Sequence, residues 1–169
     1  DKSALYETLR IKGCKKCGHV YNELTSDEVK GLMLYYDSEY SLSNISAPDN
    51  TGDRPGSSNY FTLNRYRILH RIIGKYACPD SDILDVGCAM GGFLDYLREN
   101  GFSRLFGIDP VIEYVKEAER SGKHYIKLGN AEAIPFDDNY FDLVVMDQVL
   151  EHVIDIRKAL REVKRVLRT

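Results

Sequence analysis

Residues 83–94 of the chain read Ile-Leu-Asp-Val-Gly-Cys-Ala-Met-Gly-Gly-Phe-Leu. The segment begins with a short apolar run, continues through glycines and other small residues, and ends at the start of a helical pattern. Small residues let the backbone approach a ligand closely, and a helix N-terminus offers unpaired N–H groups to its polar part. The pattern therefore predicts a strand, a turn and a helix that together bind a nucleotide-like ligand.

Strand and helix patterns alternate along the chain after residue 79. The predicted strands cover residues 83–86, 105–108, 125–128 and 143–146, and the predicted helices among them cover residues 91–100, 111–121 and 155–168. A further helix is predicted before this region, over residues 60–76. Such alternation is typical of an α/β fold with a doubly wound, Rossmann-like parallel sheet. Ligands of these sheets bind beyond the carboxyl ends of the strands, where the strand order reverses.

The glycine-rich turn departs from the fingerprint of dinucleotide-binding proteins. That fingerprint needs a second glycine so that the backbone can close on a pyrophosphate, and here the position is Ala89. Asp85, shortly before the first glycine, also argues against NAD or FAD. Asp109 follows the second predicted strand, where a carboxylate can accept hydrogen bonds from two ribose hydroxyls. The sequence therefore favours a ligand with a free ribose.

Residues 60–169 resemble the class I S-adenosylmethionine-dependent methyltransferases. The family's glycine-rich motif is acid-x-Gly-x-Gly-x-Gly, which Asp85, Gly87, Ala89 and Gly91 match with one Gly-to-Ala departure. The resemblance implies S-adenosylmethionine as cofactor and the first four strands of a seven-stranded sheet, with the remaining strands beyond residue 169. It also implies that the cofactor is contacted by Asp85, Gly87, Cys88, Ala89, Gly91, Asp109, Pro110, Asn130, Ala131, Glu132, Asp147 and Gln148.

Two further segments carry the same resemblance. Residues 129–136 resemble the family's third-strand segment, which caps the adenine, and residues 141–153 resemble its fourth strand and the loop that faces the substrate. Between residues 131 and 155 the chain has seven acidic residues and no Lys or Arg. A local negative field would suit a cationic cofactor, whereas a solvated acidic loop is the simpler explanation for Asp137 and Asp138.

Glu151 and His152 are the candidate catalytic residues, because they fall where the family's fourth-strand loop meets the substrate. A structural role for this Leu-Glu-His stretch is the alternative. The spacing from Gln148 to Glu151 and His152 also resembles the Glu-x-x-Glu-His metal site of small-RNA 2′-O-methyltransferases, although Gln148 replaces the first acid.

The pattern of residues 1–24 predicts a small unit with two short strands around Cys14 and Cys17. This Cys-x-x-Cys pair resembles the second half of a zinc ribbon and supplies two of the four ligands that zinc needs. The unit is therefore interpreted as a partial zinc-ribbon-like knuckle. A truncated ribbon is the favoured explanation, and a knuckle that binds no metal is the alternative. A helix and a linker are expected over residues 25–59, and the methyltransferase core over residues 60–169, incomplete at its C-terminus.

Composition narrows the class of protein. Lys and Arg total 23 against 26 Asp and Glu, a net charge of −3, which disfavours a nucleic-acid partner. The four cysteines are too few and too unevenly placed for a disulfide framework, so a reducing cytoplasm is expected. No apolar stretch approaches the roughly 18 residues of a membrane helix. An open, apolar fourth-strand edge would permit oligomerisation.

The favoured function is methyl transfer to a small-molecule acceptor, since the whole arrangement resembles methyltransferases of sugar-nucleotide, surface-polysaccharide and secondary-metabolite pathways. Tyr60, Arg65 and Tyr66 are candidates for the pocket rim. Core packing of the tyrosines and a solvated Arg65 are the simpler alternative. Two other functions stay open: an rRNA or tRNA methyltransferase that uses its basic N-terminal piece, and a catalytically silent module that binds S-adenosylmethionine.

Overall fold

The computed structural model of the chain describes residues 10–38 and 60–169. The chain divides into two compact units, Asp1–Ser43 and Asn44–Thr169. Residues 39–59, the later part of the predicted helix and linker, lie outside the described residues.

The N-terminal unit contains a hairpin of two short antiparallel strands, β1 (Ile11–Gly13) and β2 (Val20–Asn22), followed by helix α1 (Ser26–Ser38). The knuckle between the strands closes through backbone hydrogen bonds, in which Cys14 N–H donates to the carbonyl of His19 and Gly18 N–H to that of Cys14, both at 2.8 Å. Among residues 10–38 and 60–169, no group of three or more metal-ligating side chains comes together. The structure therefore gives no support to zinc at Cys14 and Cys17.

The larger unit contains a four-stranded parallel sheet with the order β5-β4-β3-β6. Its strands are β3 (Ile83–Val86), β4 (Leu105–Asp109), β5 (Ile126–Leu128) and β6 (Leu143–Val145). Its helices are α2 (Tyr60–Ile73), α3 (Gly92–Glu99), α4 (Ile112–Arg120) and α5 (Ile156–Val166). The predicted α/β fold with a parallel sheet is confirmed. Because β4 and β6 flank β3 on opposite sides, the order reverses at β3, and the carboxyl end of β3 is the expected ligand site.

Strand β3 is buried along its whole length because each of its faces is covered by a separate core. Ile83 packs in a core with residues of α2, α3 and α4, whereas Leu84 and Val86 pack in a second core with residues of α5. Side chains alternate along a strand, so Asp85 lies on the same face as Ile83, which is the face that α2 covers. This alternation explains why a strand of four residues directs one carboxylate towards α2.

Strand β6 pairs with β3 on one side and has no second strand partner within the residues that the structure describes. Its three residues are half-buried. Just before β6, Phe141 forms an isolated β-bridge with Leu167, and the Phe141 carbonyl accepts a hydrogen bond from Arg168 N–H at 2.8 Å. Oligomerisation through this edge stays a prediction. None of the helices described is both long and apolar enough to cross a membrane.

Candidate cofactor site

The turn after β3 alternates between ordinary and left-handed backbone. Gly87, Ala89 and Gly91 have φ values of 76°, 49° and 79°. A Cβ atom at Gly87 would lie 2.6 Å from Cγ2 of Val149, so glycine is needed there both for its conformation and for the close approach of the loop after β6. Ala89 adopts the left-handed conformation despite its methyl group, at a cost of about 1 kcal/mol. The Gly-to-Ala departure therefore leaves the shape of the turn intact.

Asp109, the last residue of β4, fixes this turn. Its Oδ2 atom accepts a hydrogen bond from Ala89 N–H at 2.8 Å, and its Oδ1 atom accepts one from Val111 N–H at 2.9 Å. Burial raises the pKa of Asp109 to about 6, and these two hydrogen bonds oppose the rise. Each carboxylate oxygen has two lone pairs, so Asp109 retains the capacity to accept bonds from a ligand.

Asp85 is buried with 5% of its surface exposed, and no hydrogen bond to its carboxylate is found among the described residues. Burial, and then the negative charges of Asp147 and Asp109, raise the pKa of Asp85 to about 8, which the positive charge of Arg65 opposes. The alternative interpretation, that Asp85 ties the turn by accepting backbone N–H bonds, is therefore wrong, because Asp109 performs that role. Asp85 is a buried acid with acceptor capacity to spare.

Helix α2 contributes Arg65 to the same neighbourhood. Its Nε atom lies 3.1 Å from Oδ2 of Asp147, and its Nη1 atom donates to Oε1 of Gln148 at 2.6 Å. Gln148 adopts a left-handed φ of 56°. The interpretation of Arg65 as a solvated side chain is thus wrong, since its side chain is only 25% exposed and holds the loop that follows β6.

The two rim tyrosines differ. Tyr66 is buried and packs on Phe93, with ring centroids 5.1 Å apart, so core packing is confirmed for this residue. Tyr60 is 73% exposed, which contradicts core packing there.

Most of the acidic residues between 131 and 155 have structural partners instead of forming a field around the site. Oε1 of Glu132 accepts from the backbone N–H groups of Ile154 and Asp155. The remaining pairs are Asp138 with Arg165, Asp142 with Arg168, and Asp155 with the backbone N–H of Lys158. The negative charges that raise the pKa of Asp85 are those of Asp147, which lies in this segment, and of Asp109, which lies outside it. The segment as a whole therefore does not form the predicted negative field.

The other predicted cofactor contacts lie near the carboxyl ends of β4 and β5. Pro110 is exposed directly after Asp109, and Ala131 is buried. The side chain of Asn130 closes a local turn, because its Oδ1 atom accepts from Glu132 N–H at 2.9 Å. Cys88 is buried beside Gly107, and burial raises the pKa of its thiol well above the ordinary value, which fits a packing role.

Glu151 and His152 are both exposed, on the 3-10 turn Leu150–His152. Since no cluster of three metal-ligating groups exists among the described residues, the structure does not support a metal site from Gln148, Glu151 and His152.

Lys123 also supports the turn, although no motif in the sequence points to it. Its Nζ atom donates to the Met90 carbonyl at 2.8 Å and lies 2.5 Å from Oδ2 of Asp95. The residue is 33 positions from Met90, so no local pattern connects the two.

A glycine turn at the reversal of a parallel sheet, with carboxylates at the ends of neighbouring strands, defines a Rossmann-like nucleotide-binding domain. Comparison with known proteins identifies the family. Residues 84–169, half of the chain, match the family described as "Methyltransferase domain". The chain belongs to this family, within the class I S-adenosylmethionine-dependent methyltransferases.

Among curated relatives, the malonyl-[acyl-carrier protein] O-methyltransferase of Salmonella typhimurium is 35% identical over 89 residues, which cover 52% of this chain and 35% of that protein. The 2-phytyl-1,4-naphtoquinone methyltransferase of Nostoc punctiforme is 32% identical over 122 residues, covering 66% of this chain and 53% of that protein. The matched part of the chain thus spans between about a third and a half of these relatives.

Solved structures show the same fold. The YcgJ protein of Bacillus subtilis matches with 29% identity and a TM-score of 0.52, over 62% of this chain and 47% of that one. The PH0226 protein of Pyrococcus horikoshii matches with 25% identity and a TM-score of 0.56, over 66% of this chain and 55% of that one.

Proposed function

We propose that this protein binds S-adenosylmethionine at the carboxyl end of β3 and transfers its methyl group to a small-molecule acceptor. The observation that carries the proposal is the convergence of Asp85, Asp109 and Asp147 on the glycine turn, with Asp85 buried and free of hydrogen bonds from the described residues. A buried acid of this kind is stabilised by a cationic ligand, and S-adenosylmethionine carries both an ammonium and a sulfonium.

The residues present fit this cofactor. Asp109 is held rigidly by two backbone N–H groups and would accept hydrogen bonds from the ribose hydroxyls. The backbone of Gly87, Cys88, Ala89 and Gly91 would pass close to the methionyl part. Asp85 and Asp147, with Gln148 beside them, would face its positive charges.

The adenine would lie between Pro110 and the loop after β5. Asn130 and Ala131 would contact it through the backbone, because the Asn130 side chain is engaged in its own turn. Glu132 would act indirectly, since its carboxylate holds the backbone at Ile154 and Asp155.

The cofactor supplies an activated methyl group, so the chemistry asks the protein mainly for alignment and exclusion of water, together worth several kcal/mol. The turn, Asp109 and the loop held by Arg65 provide a fixed frame for that alignment. Glu151 and His152 are the candidates for taking a proton from the acceptor, and their exposure leaves them accessible to it.

We further propose a sugar nucleotide, a polysaccharide precursor or a secondary metabolite as the acceptor. The net charge of −3 supports a small molecule over a nucleic acid. Relatives whose names specify sarcosine and dimethylglycine, or 2-phytyl-1,4-naphtoquinone, also support a small acceptor.

Calorimetric titration with S-adenosylmethionine and S-adenosylhomocysteine tests the cofactor. We expect both to bind and Asp109→Asn to weaken each by at least about tenfold, because the ribose loses a charged acceptor. Asp137→Asn, which changes an exposed acid, serves as the matched control and leaves the affinities unchanged. Absence of binding to the unchanged protein, or preferential binding of NAD, would contradict the proposal.

Transfer of a labelled methyl group tests the acceptor class. The protein is incubated with labelled S-adenosylmethionine and either a small-molecule extract or total RNA. We expect label in the small-molecule fraction. Label in RNA would identify a nucleic-acid methyltransferase, and cofactor binding without any transfer would identify a silent module.

A further inference from the structure

Arg65 is a cation that acts on two of the carboxylates at the carboxyl end of β3, Asp147 and Asp85. It forms an ion pair with Asp147 at 3.1 Å, and its charge also reaches Asp85. Both side chains of the pair are largely shielded, with 25% and 27% of their surface exposed, so solvent weakens their interactions less than on an open surface.

We propose that Arg65 sets the preference of this site between the cationic methyl donor and the uncharged thioether product, by neutralising Asp147. This inference rests on the proposed function. A site with an excess of carboxylates binds a sulfonium more tightly than the corresponding thioether, and a fixed cation among them limits that difference. A limited difference favours exchange of product for donor, whereas an unopposed cluster would hold the donor more tightly.

Charge is the property that separates the two ligands. S-adenosylmethionine and S-adenosylhomocysteine share adenosine, the amino-acid group and the connecting chain, and they differ by the methyl group and the sulfonium charge. Damage to the shape of the shared site therefore weakens both ligands together. The ratio of their dissociation constants isolates the electrostatic contribution of the protein.

Helix α2 allows Arg65 to be changed without loss of the fold. The helix is anchored by other residues, because Thr62, Tyr66 and Ile73 are buried on its inner face. Arg67, two residues further along the helix, is exposed and carries the same positive charge as Arg65. It is therefore a matched control for removal of a positive charge from α2.

The experiment measures the ratio of the dissociation constant for S-adenosylhomocysteine to that for S-adenosylmethionine by calorimetry, for the unchanged chain and four variants. We expect Arg65→Gln to raise the ratio about three- to tenfold, which corresponds to the loss of one positive charge from a partly shielded site. Asp147→Asn lowers the ratio by a similar factor. Arg65→Lys and Arg67→Gln leave it within about twofold.

The outcomes separate this inference from the proposed function. Binding of both ligands with a ratio that Arg65→Gln and Asp147→Asn do not move would overturn the role of Arg65 and leave the cofactor assignment in place. A ratio moved equally by Arg67→Gln would also overturn it, because long-range charge would then suffice. Failure of the unchanged chain to bind either ligand would overturn both proposals.

Discussion

Asp82 and Asp85 lie three residues apart, and β3 separates their surroundings completely. Both are buried, with 1% and 5% of their surface exposed. Asp82 is paired with Arg104 through two hydrogen bonds of 2.7 and 2.8 Å and with Arg168 through one of 2.8 Å. Asp85 accepts no hydrogen bond from the described residues and faces two other carboxylates.

The difference shows that the acid at the amino end of β3 stabilises the fold, whereas the acid at its carboxyl end belongs to the candidate site. A buried carboxylate held by two guanidinium groups stabilises the fold, because its loss would leave the charge of Arg104 without this partner and Arg168 with Asp142 alone of its two carboxylates. A buried carboxylate among like charges destabilises the fold. Such a residue is expected at functional sites, where a bound ligand offsets the destabilisation. Burial alone therefore does not distinguish a structural acid from a functional one.

The largest expected effect comes from titration of Asp85. Its pKa is raised to about 8 in the folded protein against 3.8 for the ordinary residue, so the folded state holds a proton that the unfolded state has lost between those pH values. The free energy of unfolding should therefore fall as the pH rises from about 4 to about 8, by at most about 1.4 kcal/mol per pH unit. Asp109, with its pKa raised to about 6, contributes over the lower part of this range.

Asp85→Asn should flatten this dependence and make the protein more stable than the unchanged chain at pH 8.5, while the two are nearly equal at pH 4. Urea unfolding at a series of pH values without cofactor measures it. Equal pH profiles for the two proteins would show that Asp85 is ionised without difficulty and would remove the contrast with Asp82.

The same substitution at the other end of β3 should act in the opposite direction. Asp82→Asn removes the charge that faces Arg104 and Arg168, whose side chains are 56% and 43% exposed. We expect the free energy of unfolding to fall by about 2–3 kcal/mol. This is less than the loss expected for a fully buried ion pair, because water still reaches both guanidinium groups.

Urea unfolding at pH 7 measures the loss, and the exposed Asp80→Asn is the control. A loss below about 0.5 kcal/mol would mean that the ion pairs of Asp82 stabilise the fold no more than ordinary surface pairs do.

The sequence predicts the parts of this contrast that depend on local pattern. Every strand of the parallel sheet, and every helix of the same unit, begins and ends within a few residues of its predicted bounds. This agreement arises because apolar runs and the glycines between them determine these bounds locally. The position of Asp109 beside the glycine turn also follows from the sequence, since the carboxyl ends of adjacent parallel strands meet at one edge.

The partners of the charged residues could not be predicted from the sequence. Arg65 and Gln148 are 83 residues apart, and Arg168 and Asp82 are 86 apart. Such pairs depend on how the helices pack on the sheet, which hydrophobic periodicity does not specify for individual polar side chains. For this reason the segment 131–155 suggests an acidic field, whereas five of its seven acids, Glu132, Asp138, Asp142, Asp147 and Asp155, have partners among the described residues.

The smallest expected effect concerns the packing beneath the site. Gly91 and Gly101 both have left-handed backbone, with φ values of 79° and 100°. A Cβ atom added at Gly91 would lie 2.5 Å from Cδ1 of buried Ile126. A Cβ atom added at Gly101 would have no neighbouring atom within 4 Å among the described residues. Both Gly→Ala substitutions should cost about 1 kcal/mol for conformation, and Gly91→Ala about 1 kcal/mol more for overpacking. Urea unfolding of the two variants measures that difference. Equal losses would mean that Ile126 moves aside freely, so that the carboxyl end is loosely packed and its order comes from Asp109 and Lys123 alone.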